Sequence, residues 1–234
     1  MLNMRLRDTR LADFGHLGRF VFPSRCPGCG QTANPVCADC ATTMRPAIVS
    51  PPPVGIAQWH SRFSYEGVVR ELVARAKYRK ERHAIRWLAG AAVSHVERRD
   101  ATLSRSIKCG AAVLTWIPTT DQRRRSRGFD HAQLIANSLA SGFGVVRPVG
   151  LLRRADATAQ TGRSREDRFR GPSFAVPYAN LSSWSSTSVV LCDDVCTTGS
   201  TLRNAALALR REGFRGEIAA ITVATTPPHS RSVV

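Results

Sequence analysis

The densest group of chemically capable side chains lies in residues 189–201, which read Val-Val-Leu-Cys-Asp-Asp-Val-Cys-Thr-Thr-Gly-Ser-Thr. The apolar start predicts a buried strand, and two adjacent acids, Asp193 and Asp194, come at its end. In an open parallel sheet, ligands collect outside the carboxyl ends of the strands. Carboxylates at that place can accept hydrogen bonds from sugar hydroxyls, so the sequence predicts a sugar-binding acid pair.

The residues after the two acids are suited to an anion. They supply hydroxyl donors, a glycine that lets the backbone approach closely, and a predicted helix start whose N–H groups and dipole favour negative charge. Taken singly, such residues are more often turn residues or a helix cap, but the complete string favours a phosphate site. The candidate phosphate-binding residues are Thr197, Thr198, Gly199, Ser200 and Thr201.

Four cysteines near the start of the chain form two CxxC pairs with seven residues between them. Each pair can supply two thiolates, and the short spacer folds the pairs together, which is typical of a tetrahedral structural Zn²⁺ site. The alternatives are two disulfides or a module that has lost its metal. The predicted metal ligands are Cys26, Cys29, Cys37 and Cys40.

Length and composition predict one main domain with a small satellite. The 234 residues are 43% hydrophobic and 22% charged, the balance of a globular protein rather than a disordered or membrane chain. We expect no membrane span, because no apolar run is long enough, and no secretory signal. The expected location is therefore cytoplasmic.

The chain is strongly basic, with a formal net charge of +17. Such a charge attracts polyanions, whether nucleic acid, an acidic partner or a phosphorylated metabolite. However, lysine occurs only at Lys77, Lys80 and Lys108, and an excess of arginine and alanine also arises from a GC-rich genome without selection for binding. The charge alone does not choose between these explanations.

Periodicity predicts alternating strands and helices, and hence an α/β fold with a parallel sheet flanked by helices. A leading helix (4–22) and the cysteine module, closed by a proline-rich linker (46–53), make up a first unit at 1–53, and the main domain covers 54–234. Strands are predicted at 111–117, 145–152, 173–176, 188–192 and 217–223, and helices within 65–98, at 130–139 and at 200–211.

The string at 189–201 resembles the 5-phosphoribosyl diphosphate (PRPP) motif of type I phosphoribosyltransferases. The whole chain further resembles the ComF family, because its motifs occur in the order seen there. The motifs that carry this resemblance are the double CxxC, Lys77-Tyr-Arg, Arg127-Gly-Phe-Asp-His131, and Thr158-Ala-Gln160 with Arg168.

The resemblance implies a type I phosphoribosyltransferase fold and a role for each motif. Asp193 and Asp194 would hold the ribose hydroxyls and orient the ribose as catalytic residues, and the loop after them would bind the 5-phosphate. Mg²⁺ would bridge the diphosphate to the site. The strand end at Pro118, Thr119 and Thr120 would bind the pyrophosphate.

Arginines that follow the strand predicted at 111–117 can also contact a diphosphate, since guanidinium matches phosphate oxygens in a bidentate way. This applies to Arg127 and to the run at 123–125, although a solvated surface run explains 123–125 equally well. Two positions depart from the family pattern: Asp130-His131 replaces Asn-Gln, and Gly171 replaces a usual Asn. Any role of those amides is therefore in doubt.

Two functions of different classes follow. The first is a PRPP-dependent transferase that displaces pyrophosphate at the anomeric carbon, with the charge on the leaving group stabilised by Mg²⁺ and arginines. The second is a non-catalytic ComF-type protein that senses a nucleotide or handles single-stranded DNA during competence and DNA uptake, with competence or recombination proteins as partners. The sequence does not reveal an acceptor.

Overall fold

The computed structural model describes residues 25–48, 50–79, 81–155, 172–177, 181 and 187–227. Four strands in these ranges form one sheet, and two very short strands form a separate antiparallel pair. The sheet contains β1 (Gln58–Ser64), β2 (Ala112–Trp116), β5 (Ser188–Cys196) and β6 (Ile218–Thr225), and the short pair is β3 (Arg153–Arg154) with β4 (Phe174–Ala175).

All neighbouring strands of the sheet run parallel, in the order β1-β6-β5-β2. The helices are α1 (Ala38–Thr42), α2 (Gly67–Tyr78), α3 (Arg82–Arg99), α4 (Ala101–Lys108), α5 (Asp121–Arg127), α6 (His131–Phe143) and α7 (Ser200–Arg211).

Helices cover both faces of the sheet and divide the core in two. On one face, α2, α3, α4 and α6 pack over alternate strand residues such as Val190 and Ile221. On the other face, α7 packs over Leu191 and Ala220. Because β6 is central and covered on both sides, all eight of its residues are buried, as in sheets of this kind. The predicted α/β fold with a parallel sheet flanked by helices is confirmed.

Several predicted elements are present with shifted ends, and one is wrong. The helix predicted at 200–211 is α7, whereas the strand predicted at 188–192 continues to Cys196. No strand forms at 145–152. There, the N–H of Val149 bonds the Leu114 carbonyl while that of Leu151 bonds the Thr115 hydroxyl, and Pro148 has no N–H to extend a ladder.

The cysteine module lies at the start of the described chain and packs against α2. A Cβ on Gly28 would lie 3.0 Å from a methyl group of Val68, and the guanidinium of Arg75 donates to the Arg25 carbonyl over 2.6 Å. The predicted leading helix at 4–22 lies outside the described residues, and the predicted boundary at residue 53 stays a prediction. In the parts of the chain that the structure describes, every helix is too short or too polar to cross a bilayer.

Candidate functional site

The two predicted acids lie inside the last part of β5 rather than after it. Asp193 is level with Thr222 of β6, and the strand continues for two residues beyond Asp194. Both acids therefore lie near the carboxyl edge of the sheet. Each accepts a hydrogen bond from the next backbone N–H, over 2.8 Å at Asp193 and 2.7 Å at Asp194.

Asp194 is engaged by a lysine from the end of α2. The Lys77 ammonium lies 2.5 Å from its carboxylate, and the two side chains are only 21% and 14% exposed. The pair is on the face covered by α2 and α6. The carboxylate thus has a cationic partner within the chain itself.

The carboxyl group of Asp193 lies near two other carboxylates, those of Asp194 and Asp130. Removal from water, followed by the charge of Asp194, raises the pKa of Asp193 well above its usual value. The hydrogen bond from the Asp194 N–H and the charge of Lys77 act in the opposite direction, and Asp130 adds to the increase. Carboxyl groups whose pKa is raised by burial and a like charge are frequent at functional sites.

The predicted phosphate loop follows β5 and ends at α7. Gly199 is the N-cap of α7 in the left-handed region, with φ of 73°, and it contributes no side-chain cap. Ser200 and Thr201 are therefore already helical, so neither acts as the cap. The Thr198 hydroxyl donates to that of Ser200 over 2.9 Å. The first N–H groups of a helix lack partners within the helix, and here the N–H of Ser200 donates to the Thr198 hydroxyl over 3.3 Å.

The linker before β1 packs directly on this loop. A Cβ added to Gly199 would lie 2.8 Å from Cγ of Pro53, and Ile56 enters the core beneath α7. A glycine is therefore needed at position 199 for two reasons. The backbone there has a positive φ, and a side chain would lie too close to Pro53. No sequence pattern predicted that the linker reaches the loop.

The predicted pyrophosphate segment follows β2, the neighbour of β5. The N–H of Thr119 donates to one oxygen of Asp130 over 2.8 Å, and the Thr120 hydroxyl caps α5 by accepting from the Arg123 N–H. The structure therefore places Pro118, Thr119 and Thr120 at the same carboxyl edge as the acids. The Thr119 N–H and the hydroxyl and carbonyl of Thr120 already have protein partners.

The pair Asp130-His131, which departs from the family pattern, connects several elements at this edge of the sheet. The second oxygen of Asp130 accepts from the N–H groups of Ala132 and Gln133, so Asp130 is the N-cap of α6. Nε2 of buried His131 donates to the Ala76 carbonyl over 2.8 Å. Burial lowers the pKa of His131, although the bond to Ala76 opposes this. The pair thus joins the end of α2 to the loop after β2.

The arginines predicted to contact a diphosphate differ in their surroundings. The Arg127 guanidinium stacks over the Tyr78 ring, 5.4 Å from its centroid, at the end of α2. Residues 123–125 lie exposed on α5, and Arg124 pairs with Asp121 over 2.8 Å, which agrees with a solvated run. Gln160, Arg163 and Arg168 lie outside the described residues.

The four N-terminal cysteines come together as predicted. Their sulfur atoms all lie within 4.8 Å of one another, and those of Cys29 and Cys37 are 3.6 Å apart. Four sulfurs at about 2.3 Å from a zinc ion are roughly 3.8 Å apart. The group therefore fits Zn²⁺ with all four positions filled, which is a structural site.

The cysteines differ in acidity. Burial acts to raise the pKa of Cys26, yet hydrogen bonds from backbone N–H groups, first that of Cys37, lower it overall to about 6. The thiols of Cys37 and Cys26 raise the pKa of Cys40 to about 12. Outside this group, burial raises the pKa of Cys196 to about 11. Cys196 is therefore a neutral thiol at neutral pH.

Sequence reasoning singled out neither Lys77 nor Asp130 as a site residue. Lys77 was part of a family motif, but its partner lies 117 positions along the chain. Asp130 was treated as a departure from a pattern. A helical N-cap preference was the only local signal that pointed to it.

Comparison with known proteins adds two relatives, while no family model matches the chain. It is 27% identical over 204 residues to "Competence protein ComFC" of Bacillus subtilis (strain 168), covering 85% of this chain and 76% of that protein. It is 28% identical over 144 residues to "Competence protein F" of Haemophilus influenzae, covering 61% of this chain and 62% of that protein. The chain thus spans less than two thirds of the second relative. Both names agree with the resemblance found in the sequence.

Proposed function

We propose that this chain binds PRPP or a related ribose phosphate at the carboxyl edge of its sheet. The observation that carries the proposal is the start of α7, where Gly199 leaves the helix without a side-chain cap beside the two carboxylates of β5. The uncapped helix start can bind a phosphate, and the carboxylates can bind sugar hydroxyls. Their adjacency on one strand, loop and helix matches the two ends of a ribose phosphate.

The phosphate is assigned to residues 197–201. Hydroxyls of Thr198 and Ser200 already lie 2.9 Å apart at the helix start, and the N–H groups of the first turn favour an anion there. The loop is anchored, because Thr226 hydrogen-bonds the carbonyls of Cys196 and Thr197 through its N–H and its hydroxyl. A preformed phosphate-binding loop of this kind loses little conformational entropy on binding.

The ribose and the diphosphate are assigned to neighbouring groups. Asp193 and Asp194 would accept hydrogen bonds from the ribose hydroxyls, and Pro118, Thr119, Thr120 and Arg127 would bind the diphosphate. Mg²⁺ bound with the ligand would neutralise diphosphate charge, which assists departure of pyrophosphate. The oxygen ligands that Mg²⁺ prefers are those of the diphosphate together with nearby carboxylates.

We place the chain in the ComF family with a type I phosphoribosyltransferase fold and a role in competence. Support comes from the two relatives named as competence proteins, from the four-cysteine group and from the parallel sheet. The proposed units remain 1–53 with the metal and 54–234 with the ligand site.

Calorimetry tests the ligand. Zinc-loaded protein would be titrated with PRPP and Mg²⁺, beside the Asp193→Asn/Asp194→Asn variant and a control, Glu97→Gln/Glu217→Gln, which removes two exposed acids elsewhere. We expect saturable binding by wild type and control and its loss in the acid-pair variant. Absence of heat from folded wild type would overturn the proposal.

Transfer chemistry has a separate test, the release of pyrophosphate on addition of amines, bases or ammonia to the PRPP complex. The non-catalytic role is favoured by the names of the relatives and the net charge of +17. Labelled single-stranded DNA would be titrated over a salt series, since nucleic-acid affinity falls steeply with salt through counterion release. Pyrophosphate release supports the enzyme, and steep salt dependence without release supports the binding protein.

A further inference from the structure

We propose that Lys77 determines the specificity of the ribose-phosphate site, by keeping Asp194 available to sugar hydroxyls and closed to a free divalent cation. This inference rests on the proposed function and names a residue that the acid pair and phosphate loop do not include. Its basis is the 2.5 Å contact between the Lys77 ammonium and the Asp194 carboxylate.

The contact is built into the fold. Exposed ion pairs contribute little because two long side chains must be ordered in water, but here both partners are largely buried. The end of α2 is also fixed on either side of Lys77. Arg75 donates to the Arg25 carbonyl, the Ala76 carbonyl accepts from His131, and the Tyr78 ring stacks against Arg127. Lys77 is thus presented to Asp194 from between three anchored residues, two before it and one after it.

The negative charge of the neighbouring carboxylates explains why Asp194 needs a cationic partner. Asp193, Asp194 and Asp130 lie close enough for the charges of the last two to raise the pKa of the first. Adjacent carboxylates without a counter-charge are good ligands for hard divalent cations, which prefer oxygen. Among the described residues, Lys77 is the cation in ion-pair contact with this group.

The pair leaves room for a ligand. An ammonium carries three N–H donors, so Lys77 can contact Asp194 and a ligand oxygen together. An Asp194 carboxylate that is partly neutralised still accepts a hydrogen bond from a sugar hydroxyl. Without Lys77, the same oxygens would carry uncompensated charge, which repels a phosphate and attracts a metal ion.

Ribose 5-phosphate is the most direct probe, because it has the sugar hydroxyls and the 5-phosphate but needs no metal. Zinc-loaded wild type, Lys77→Met and Lys77→Arg would be titrated with it in buffer free of divalent cations, and separately with Mn²⁺ alone, followed by electron paramagnetic resonance. The matched control is Lys108→Met, which removes a lysine that pairs with Glu97 over 2.6 Å on the exposed surface.

We expect Lys77→Met to bind ribose 5-phosphate about ten- to a hundredfold more weakly, the loss typical of one charged hydrogen bond, and to acquire an Mn²⁺ site. Adding Asp194→Asn to Lys77→Met should abolish that Mn²⁺ site. Lys77→Arg should keep most of the affinity, and Lys108→Met should behave as wild type in both titrations.

Other outcomes separate this inference from the proposed function. Wild-type affinity and no Mn²⁺ site in folded Lys77→Met would overturn the role of Lys77 and leave the proposed function standing. If Lys77→Met does not fold, Lys77→Gln is measured in its place under the same criteria. Failure of the wild type to bind ribose 5-phosphate or PRPP would contradict the proposed function, and the inference with it.

Discussion

At the scale of single residues, the surroundings of Asp193 disfavour its ionised carboxylate and so lower the stability of the folded chain near neutral pH. Folding raises its pKa above the ordinary value of 3.8, so the folded chain binds that proton more tightly than the unfolded chain. Stability is therefore present at low pH and is lost as pH rises from about 3.8 through the raised pKa. Residues kept for binding often carry such a cost.

We predict that Asp193→Asn stabilises the ligand-free protein at pH 7 to 8 while it weakens ligand binding. The amide keeps the size and removes the partly buried charge, and each kcal/mol gained raises the melting temperature by about 2–4 °C in a chain of this length. Thermal melts of both proteins from pH 4 to 8 measure this. The difference should shrink toward pH 4, and a variant less stable at pH 8 would contradict the assignment of charge.

Gly199 supplies the second prediction at this scale. Gly199→Ala places a methyl group against Pro53 and forces a left-handed conformation, which costs about 1–2 kcal/mol before any steric clash. Gly144→Ala is the matched control, because its φ of 72° is nearly the same and no atom lies within 4 Å of the new Cβ. We expect Gly199→Ala to be the less stable in denaturant melts and the only one with impaired ribose 5-phosphate binding. Equal effects would mean that Pro53 does not hold the loop.

At the scale of elements, the sequence predicted the central parts of the fold better than its edges. The apolar runs of β5 and β6 and the periodic apolar residues of α7 were identified because burial dictates their side chains. Edge strand β1 was missed, since its alternation of polar and aromatic residues includes His60 and Arg62 and is only partly buried. The strand predicted at 145–152 was wrong because apolar content alone does not provide a backbone partner.

The site could be predicted only where its residues are consecutive. Asp193, Asp194 and the phosphate loop belong to one string, and the four cysteines have a recognisable spacing. Lys77, Asp130 and Pro53 reach the same edge from separate parts of the chain, so only the fold brings them there.

Asp130 gives a prediction for α6 and the loop after β2. Asp130→Ala removes both the helix cap, which is worth about 1 kcal/mol, and the anchor of the Thr119 N–H. Asp130→Asn keeps one acceptor oxygen and should retain one of the two contacts. We therefore expect stability and PRPP affinity to fall in the order wild type, Asn, Ala, measured by denaturation and calorimetry.

The control for this series is Asp100→Ala, which removes another aspartate cap, at the start of α4, where it also pairs with His60. It should lower stability and leave PRPP affinity unchanged. Equal loss of affinity in Asp100→Ala and Asp130→Ala would show that the effect comes from general destabilisation.

At the scale of the whole molecule, the cysteine module is tied to both sides of the ligand site. It packs on α2, whose end carries Lys77, and the linker that follows it packs on Gly199. Binding free energy of a structural zinc is folding free energy for the part that it organises. The state of the metal should therefore affect the stability of the molecule as a whole.

We predict one zinc ion per chain and a lower melting temperature after its removal by a strong chelator. Metal analysis by mass spectrometry and thermal melts measure these two quantities. Cys37→Ser should reproduce the loss, whereas Cys109→Ser, which changes an exposed cysteine outside the group, should not. Stoichiometric zinc retained by Cys37→Ser with an unchanged melt would argue against the four-cysteine site.

The central claim is that ligand binds at the carboxyl edge of the sheet, and hydrogen–deuterium exchange with and without PRPP and Mg²⁺ tests it most directly. We predict slower exchange at residues 197–202, where the N–H groups of the loop and of the first turn of α7 would contact the phosphate, and no change in α1 of the cysteine module. Unchanged exchange at 197–202 under saturating ligand, or protection confined to the cysteine module, would contradict the account.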